Sequence, residues 1–439
     1  MDTTPLRDGP VTSLYTDHYE LTMLQAALHS GAAGRRTVFE AFARALPEGR
    51  RYGIVAGTGR LLEGIAGFRF GPPELEFLDR TGVVNGDTLA RLADFRFSGD
   101  VWGYPEGEAY FPYSPVLIVE STFAEACILE TFVLSVLNHD SAIASAASRM
   151  VSAAGGRPCI EMGSRRAQEE AAPAAARAAV IAGFEATSNL EAGRRFGLRT
   201  VGTAAHSFTL LHDTERDAFR AQLNSLGPGT TLLVDTFDVE AAVRTAVELA
   251  GDKLGAVRLD SGDLLAQARW VRELLDSLGN AQTKIVVTSD LDEYSVAALR
   301  AAPADAYGIG TALVTGSGAP TAGMVYKLVS RTNDAGEFIA VAKSSKNKIN
   351  VGGRKHAVRR LDGSGTATHE VLGVGHPPAE PSGRPLLRQF IREGELLPGW
   401  TGAEAVARAR RRHAETMAEL PAVVNRLQRG DPAIPTVYA

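Results

Sequence analysis

The sequence predicts an α/β fold whose central part is a βα barrel, one strand short of the usual eight, between about residues 158 and 311. Three observations predict it. From Pro158 onward, short apolar or β-branched runs alternate with helical patterns, the signature of parallel strands joined by crossover helices. Seven such runs can be counted before the rhythm stops near Gly310. Each run ends in glycine or a polar residue. A doubly wound parallel sheet is the alternative that the same alternation allows.

The strand runs are, in order, Cys159 to Met162, Ala182 to Ala186, Thr200 to Gly202, Thr231 to Val234, Ala256 to Leu259, Lys284 to Val287 and Ala306 to Ile309. Helical patterns fill the gaps at 167–181, 191–196, 213–226, 239–249, 264–278 and 293–301. Their C-terminal ends carry Gly163-Ser164-Arg165-Arg166, Thr187-Ser188-Asn189, Thr203 with His206, Asp235, Asp260-Ser261-Gly262-Asp263, Thr288-Ser289-Asp290 and Gly310-Thr311. In a βα barrel, functional groups gather at that end. Arginines and Gly-Thr or Ser-Gly turns suit phosphate, while aspartates suit ribose hydroxyls or a magnesium carried by pyrophosphate. Helix capping accounts for Asp263 and Asp290. It does not account for Arg165 and Arg258, which bring cations to the same rim. The pattern reads as a phosphate-rich, ribose-bearing substrate. His206 follows a Gly-Thr turn, where an imidazole is a nucleophile, an acid–base group or a phosphate ligand.

The N-terminal third reads as mixed α/β. His18 to Leu28 has helical spacing and stops at Gly31; 37–43 and 116–120 alternate or run as strands; 52–64 turns through glycines into a helix. A β stretch at 101–109 meets a proline-rich corner, and 124–154 is one long apolar helix pattern. Beyond Thr311, segments 323–329 and 338–343 pair as antiparallel strands across Asn-Asp-Ala-Gly. A basic loop, 343–355, either reaches toward an anionic ligand or forms a solvated charged face. A proline-rich linker at 376–385, an Arg/Ala-rich helix at 403–427 and a short tail complete the chain.

Composition narrows the function. The 439 residues suggest two domains by a prior of ~150 residues each. A net charge of −5 argues against non-specific nucleic-acid binding. Cys127 and Cys159, the only cysteines, leave no disulfide framework or thiolate metal site. No signal peptide and no apolar run near ~20 residues is visible, so a soluble cytoplasmic protein is expected, without membrane contact.

Five motifs occur in a fixed order: Thr16-Asp17-His18-Tyr19-Glu20-Leu21-Thr22-Met23, Gly163-Ser-Arg165-Arg166, Gly202-Thr-Ala-Ala-His206-Ser, Val257-Arg-Leu-Asp-Ser-Gly-Asp263 and Gly308-Ile-Gly-Thr311. As a set they resemble the nicotinate phosphoribosyltransferase family, from about residue 13 to the 343–355 loop. The resemblance implies an irregular, incomplete TIM-like barrel (126–324) joined to an α/β sandwich domain of residues 1–125 completed by 325–439. It implies conversion of nicotinate and phosphoribosyl pyrophosphate to nicotinate mononucleotide and pyrophosphate in NAD synthesis, with ATP as cosubstrate, magnesium, and a homodimer.

By the same resemblance His206 matches the histidine phosphorylated by ATP. Tyr15 and Thr203 match nicotinate contacts, and Arg258 a contact to base and ribose. Arg165, Asp260, Gly310 and Thr311 match the phosphoribosyl set, with Asp260 the candidate carboxylate toward magnesium. Ser188 and Asn189 stand where the nicotinamide-using relatives carry an aspartate, which implies preference for the acid. Ser261, Gly262 and Ser289 complete the substrate-binding set at the strand ends. Two departures stand out. Met162 occupies the place of a stacking aromatic, and Gly352-Gly353 that of a common Pro-Gly. Two other classes share the strand-end pattern. An aldolase or isomerase barrel requires a lysine or a Glu–His pair there, and no lysine is present; a non-catalytic nucleotide sensor binds without turnover.

Overall fold

The computed structural model describes residues 11–343, 351–379 and 383–439. The chain divides into two compact units: residues 1–145 with 321–439, and residues 146–320. The division falls inside the long helix Glu130–Ala154, which the sequence pattern joins to Phe123–Cys127; the two are separate, with a break at Ile128 and Leu129.

The second unit holds a six-stranded parallel sheet. Its strands, in sheet order, are Ala186–Thr187, Cys159–Glu161, Ala306–Ile309, Lys284–Ser289, Ala256–Leu259 and Thr231–Leu233. The first strand in the chain therefore lies beside the last, and the others follow in sequence. That is a barrel's cyclic order rather than the reversal of a doubly wound sheet. The sheet is curled, a half barrel. The expected strand at Thr200 to Gly202 is a correction: only one parallel bridge, Thr187 to Thr200, forms there. Gly202 and the small residues after it bring no apolar side chains to hold a ladder in place. The crossover helices match the periodicity closely, as at Leu264–Ser277 and Glu215–Leu226. Val257, Leu259, Ile285, Val287 and Ile309 are wholly buried, as expected of parallel strands covered on both faces.

The first unit is built around a seven-stranded sheet drawn from both ends of the chain. Strands Arg36–Ala43, Leu117–Thr122 and Asp100–Gly103 lie among Met324–Thr332, Phe338–Ala340, Arg388–Arg392 and Glu395–Leu396. The antiparallel pair across Asn333 is as expected. A four-stranded sheet includes Lys355–Leu361, Ala367–Val374, Gly383–Pro385 and Thr436–Tyr438. The expected tail is thus a strand, and part of the expected linker pairs as well. Of the basic 343–355 loop, residues 344–350 lie outside the described residues. At its C-terminal end Lys355 is buried and donates to Glu40 at 2.9 Å, and Arg354 pairs with Glu120 at 2.7 Å. Those two cations are structural. Among the described residues, no helix is long and apolar enough to cross a membrane.

Arg359, fully buried, fixes these sheets to the C-terminal helix Gly402–Glu419. It donates to Glu108 at 2.6 Å, Glu370 at 2.8 Å, Thr416 at 2.9 Å and the Ala109 carbonyl at 2.7 Å. Arg384 adds two bonds to Glu108, at 2.8 and 3.0 Å. Burial alone would raise the Glu108 carboxyl, yet Arg359 and Arg384 prevail and hold it at about 2. A depressed carboxyl stabilises above its unfolded value and loses that contribution as pH falls through the native one. The difference amounts to roughly 3 kcal/mol. Urea midpoints of the native chain should therefore fall between pH 4.5 and 2. Glu108→Gln should cost about 3–5 kcal/mol at neutral pH and flatten that acid limb. An equally steep limb in the variant would place the acid sensitivity elsewhere.

Candidate active site

The parallel strands all end on one side, and a cleft of about 280 Å³ opens there. It is lined by Met162, Arg165, Arg166, Arg258, Asp260, Thr288, Ser289, Asp290, Gly308, Gly310 and Thr311. Six of the expected site residues, Arg165, Arg258, Asp260, Ser289, Gly310 and Thr311, are among them. Arg165 and Arg166 project from the turn Ser164–Arg166, exposed and without a carboxylate partner among the described residues. Two adjacent unpaired guanidiniums mark a place for an anion. The glycines have steric reasons. A Cβ on Gly308 would lie 2.5 Å from Thr288 and 2.8 Å from the Met162 sulfur; one on Gly163 would strike Val314 at 2.3 Å. Met162 packs over Gly308, so its thioether forms the wall where an aromatic was expected.

Beside this cleft sits a carboxylate centre that spacing alone did not single out. Asp235, almost wholly buried, accepts from the Asp260 amide and the Ser261 hydroxyl, both at 2.8 Å. Its other oxygen has no hydrogen-bond partner and lies 3.9 Å from His206 Nε2. Asp260 lies 3.8 Å from the same nitrogen, and its other oxygen accepts from Thr288 and faces Arg258 at 3.6 Å. His206 Nδ1 meets the Thr236 hydroxyl at 3.1 Å. Arg258 donates to Thr203 at 3.0 Å and to the Ala204 carbonyl at 3.2 Å, which fixes the loop leading to His206. The buried Arg258 Nε has no partner.

The remaining expected residues divide. Ser188 is exposed, its amide bonded to the Glu161 carbonyl at 2.8 Å. Asn189 caps the helix Leu190–Phe196 through the Ala192 amide at 2.7 Å, and its amide donates to Ser164 at 2.9 Å. Gly262 sits at φ +81°, a turn a side chain would strain. Ser289 has φ 151°, rare for a residue with a side chain, at the cleft wall. Asp263 caps its helix as expected. Asp290 does not: Asp292 caps Glu293–Leu299, and Asp290 lines the cleft and faces Thr311. Tyr15 belongs to the other unit, 65% exposed, stacked on Phe132 at 6.3 Å, and is not among the lining residues.

Two family models match the chain: the nicotinate phosphoribosyltransferase N-terminal domain over residues 14–138 and the nicotinate phosphoribosyltransferase family over 158–376. The chain is 56% identical over 434 residues to nicotinate phosphoribosyltransferase pncB1 of Mycobacterium tuberculosis, covering 96% of this chain and 94% of that one. It is 35% identical to nicotinate phosphoribosyltransferase of Bacillus subtilis, covering 80% and 74%. The chain belongs to the nicotinate phosphoribosyltransferase family. The crystal structure of human nicotinic acid phosphoribosyltransferase superposes with a TM-score of 0.81 at 25% identity, over 97% of both chains.

One more acid lies near Asp235. Glu215, at the start of Glu215–Leu226, has a buried oxygen with no hydrogen-bond partner. Burial, then Asp238, then Asp235 push its carboxyl up to about 7. Only the fold reveals this, because Glu215 begins one helix while Asp235 and Asp238 share the loop before another. A raised carboxyl is neutral in the native state at low pH, and ionising it costs stability as pH rises. Glu215→Gln should therefore melt higher than the native chain, with a gain that grows from pH 4.5 to 7 and then levels. A gain independent of pH would show that the repulsion is absent.

Proposed function

We propose that this chain is a nicotinate phosphoribosyltransferase of NAD salvage in which ATP hydrolysis is coupled through phosphorylation of His206. The supporting observation is the imidazole between two aspartates, beside an arginine-lined cleft, in a chain of this family. Both carboxylates lie on the Nε2 side, which favours hydrogen on that nitrogen and leaves the Nδ1 lone pair, now facing Thr236, as the nucleophile. Nδ1 takes the terminal phosphoryl group as the bond to ADP breaks, and water later releases phosphate. In the main reaction the pyridine nitrogen bonds to the anomeric carbon while its bond to pyrophosphate breaks, through an oxocarbenium-like state. No general base is required. Arg165 and Arg258 orient and neutralise the phosphates, so that the cleft works chiefly by positioning and electrostatics.

Magnesium fits this reading as an ion held mostly by pyrophosphate oxygens and water. Among the described residues no group of three or more His, Cys, Asp or Glu is placed to hold a metal alone. Asp260, near the unpartnered Asp235 oxygen, is the carboxylate that would take part. Such an ion would supply charge neutralisation to the leaving group. We read the curled sheet as an incomplete barrel and the first unit as an α/β sandwich. We also read the molecule as a homodimer in which the exposed Tyr15 ring completes the partner's nicotinate site.

Loss of activity does not separate a phosphorylated histidine from a pyrophosphate ligand, but the chemistry left behind does. Label from the terminal phosphate of ATP should be acid-labile and base-stable, absent in His206→Ala and discharged by substrates. That variant should lose ATP stimulation yet retain slow mononucleotide formation. Absence of acid-labile label in the native protein would make His206 a ligand only.

Preference for the acid is a separate expectation. Asn189→Asp keeps the helix cap, because aspartate caps equally well. It adds negative charge beside Ser164 and so should raise KM for nicotinate about tenfold without lowering the melting temperature. An unchanged KM would remove the 188–189 loop from the base site.

A further inference from the structure

The first unit holds a cleft of about 330 Å³ lined by none of the residues assigned to the reaction. One wall is the C-terminal helix Gly402–Glu419, where Ala405, Arg408, Ala409 and Arg412 recur at helical spacing. The buried alanines leave room, and the two arginines flank it. Arg388, the first residue of Arg388–Arg392, comes from the sheet, and Trp400 stands in the turn before the helix with its edge against Phe390 at 4.7 Å. Thr58, Pro105 and Glu106 close the far side.

Charge in this cleft is unbalanced: three guanidiniums face one carboxylate. Glu106 is directed at the backbone, accepting the Gly57 amide at 2.6 Å where the helix Thr58–Ala66 begins. The acids outside lie toward solvent. Glu404 is 93% exposed and 3.6 Å from Arg408; Glu415 is 58% exposed and 3.1 Å from Arg412. Exposed pairs of this kind are weak and easily exchanged. Arg388 has no carboxylate within ion-pair distance among the described residues, and it donates to the carbonyl of adjacent Leu387 at 3.0 Å. Burial, then Arg412 and Arg384, push its guanidinium below the usual range against the opposing pull of Glu108.

We propose that this cleft is a second anion site, which takes the phosphate groups of a free oligophosphate or of a nucleotide. Arginine forks match phosphate oxygens bidentately, and three guanidiniums lining one open volume, two of them also held by the Gly399 and Leu387 carbonyls, suit a multiply charged ligand. Trp400 offers an apolar wall to a base. Its residues belong to the first unit, whereas His206 and Arg258 belong to the second.

Calorimetric titration of the full chain with pyrophosphate, without nicotinate, tests it. The native protein should bind two equivalents. Arg388→Gln/Arg412→Gln should lose one and keep normal turnover at saturating substrate. Arg165→Ala/Arg258→Ala should lose the other. If the glutamine variant proves unstable, Arg388→Lys/Arg412→Lys retains charge without the fork and should weaken the second equivalent about tenfold or more. ADP against Trp400→Leu distinguishes the source: loss of ADP alone identifies a nucleotide, and unchanged binding of both probes identifies the phosphates as the recognised part. A single equivalent that vanishes in Arg165→Ala/Arg258→Ala, or two that survive in Arg388→Gln/Arg412→Gln, would overturn the proposal.

Discussion

The site in the second unit depends on one nearly buried carboxylate, Asp235. It stands just beyond Thr231–Leu233 and binds the backbone of Asp260 and the hydroxyl of Ser261, both just beyond the neighbouring strand. Those bonds set where Asp260 points, and Asp260 in turn meets Thr288 and Arg258. Arg258 then holds the loop at Thr203 and Ala204 that delivers His206. Four chain segments are thus tied through one side chain. A buried charge is tolerated only with partners, and half of Asp235 has none among the described residues.

The charged centres at Arg359 and at His206 differ in how tightly they are paired. Around Arg359, three carboxylates and two guanidiniums sit within ion-pair distance, and Glu108 and Glu370 accept at both oxygens. Such a network holds one geometry, since removal of any member strands another. Around His206 the two carboxylate contacts stop short of hydrogen bonding, at 3.8 and 3.9 Å, and the Thr236 hydroxyl meets the ring at 3.1 Å. Loose contacts suit the phosphorylation we propose for His206, because a fully paired imidazole would have to break bonds at each step.

Much of this was legible in the sequence because parallel strands impose a rhythm. Covered on both faces, they are continuous apolar runs, and the residue after each run is polar because it leaves the sheet. Arg165, Arg258, Asp260, Ser289, Gly310 and Thr311 were found that way, and the glycines by the turns they permit. What the rhythm could not show is pairing between segments. Asp235 looked like any strand-end acid, and its role comes from residues about 25 positions later. The Lys355 and Arg354 cations looked available, yet Glu40 and Glu120 lie more than two hundred positions away in sequence. The run at Thr200 failed as a strand because two residues of β character do not make a ladder once glycine and alanine follow.

Asn189 shows how one side chain carries two readings. Its carbonyl caps a helix, the ordinary use of asparagine after a strand. Its amide reaches Ser164, immediately before the two unpaired arginines of the cleft. The cap fixes the side chain, and a fixed side chain can hold the arginine turn in position. An aspartate there would keep the first interaction and change the second, since a carboxylate accepts from Ser164 and adds a negative charge next to Arg165. A structural cap and a determinant of substrate charge are therefore compatible roles, and the backbone that demands the cap is also what places the amide at the edge of the cleft.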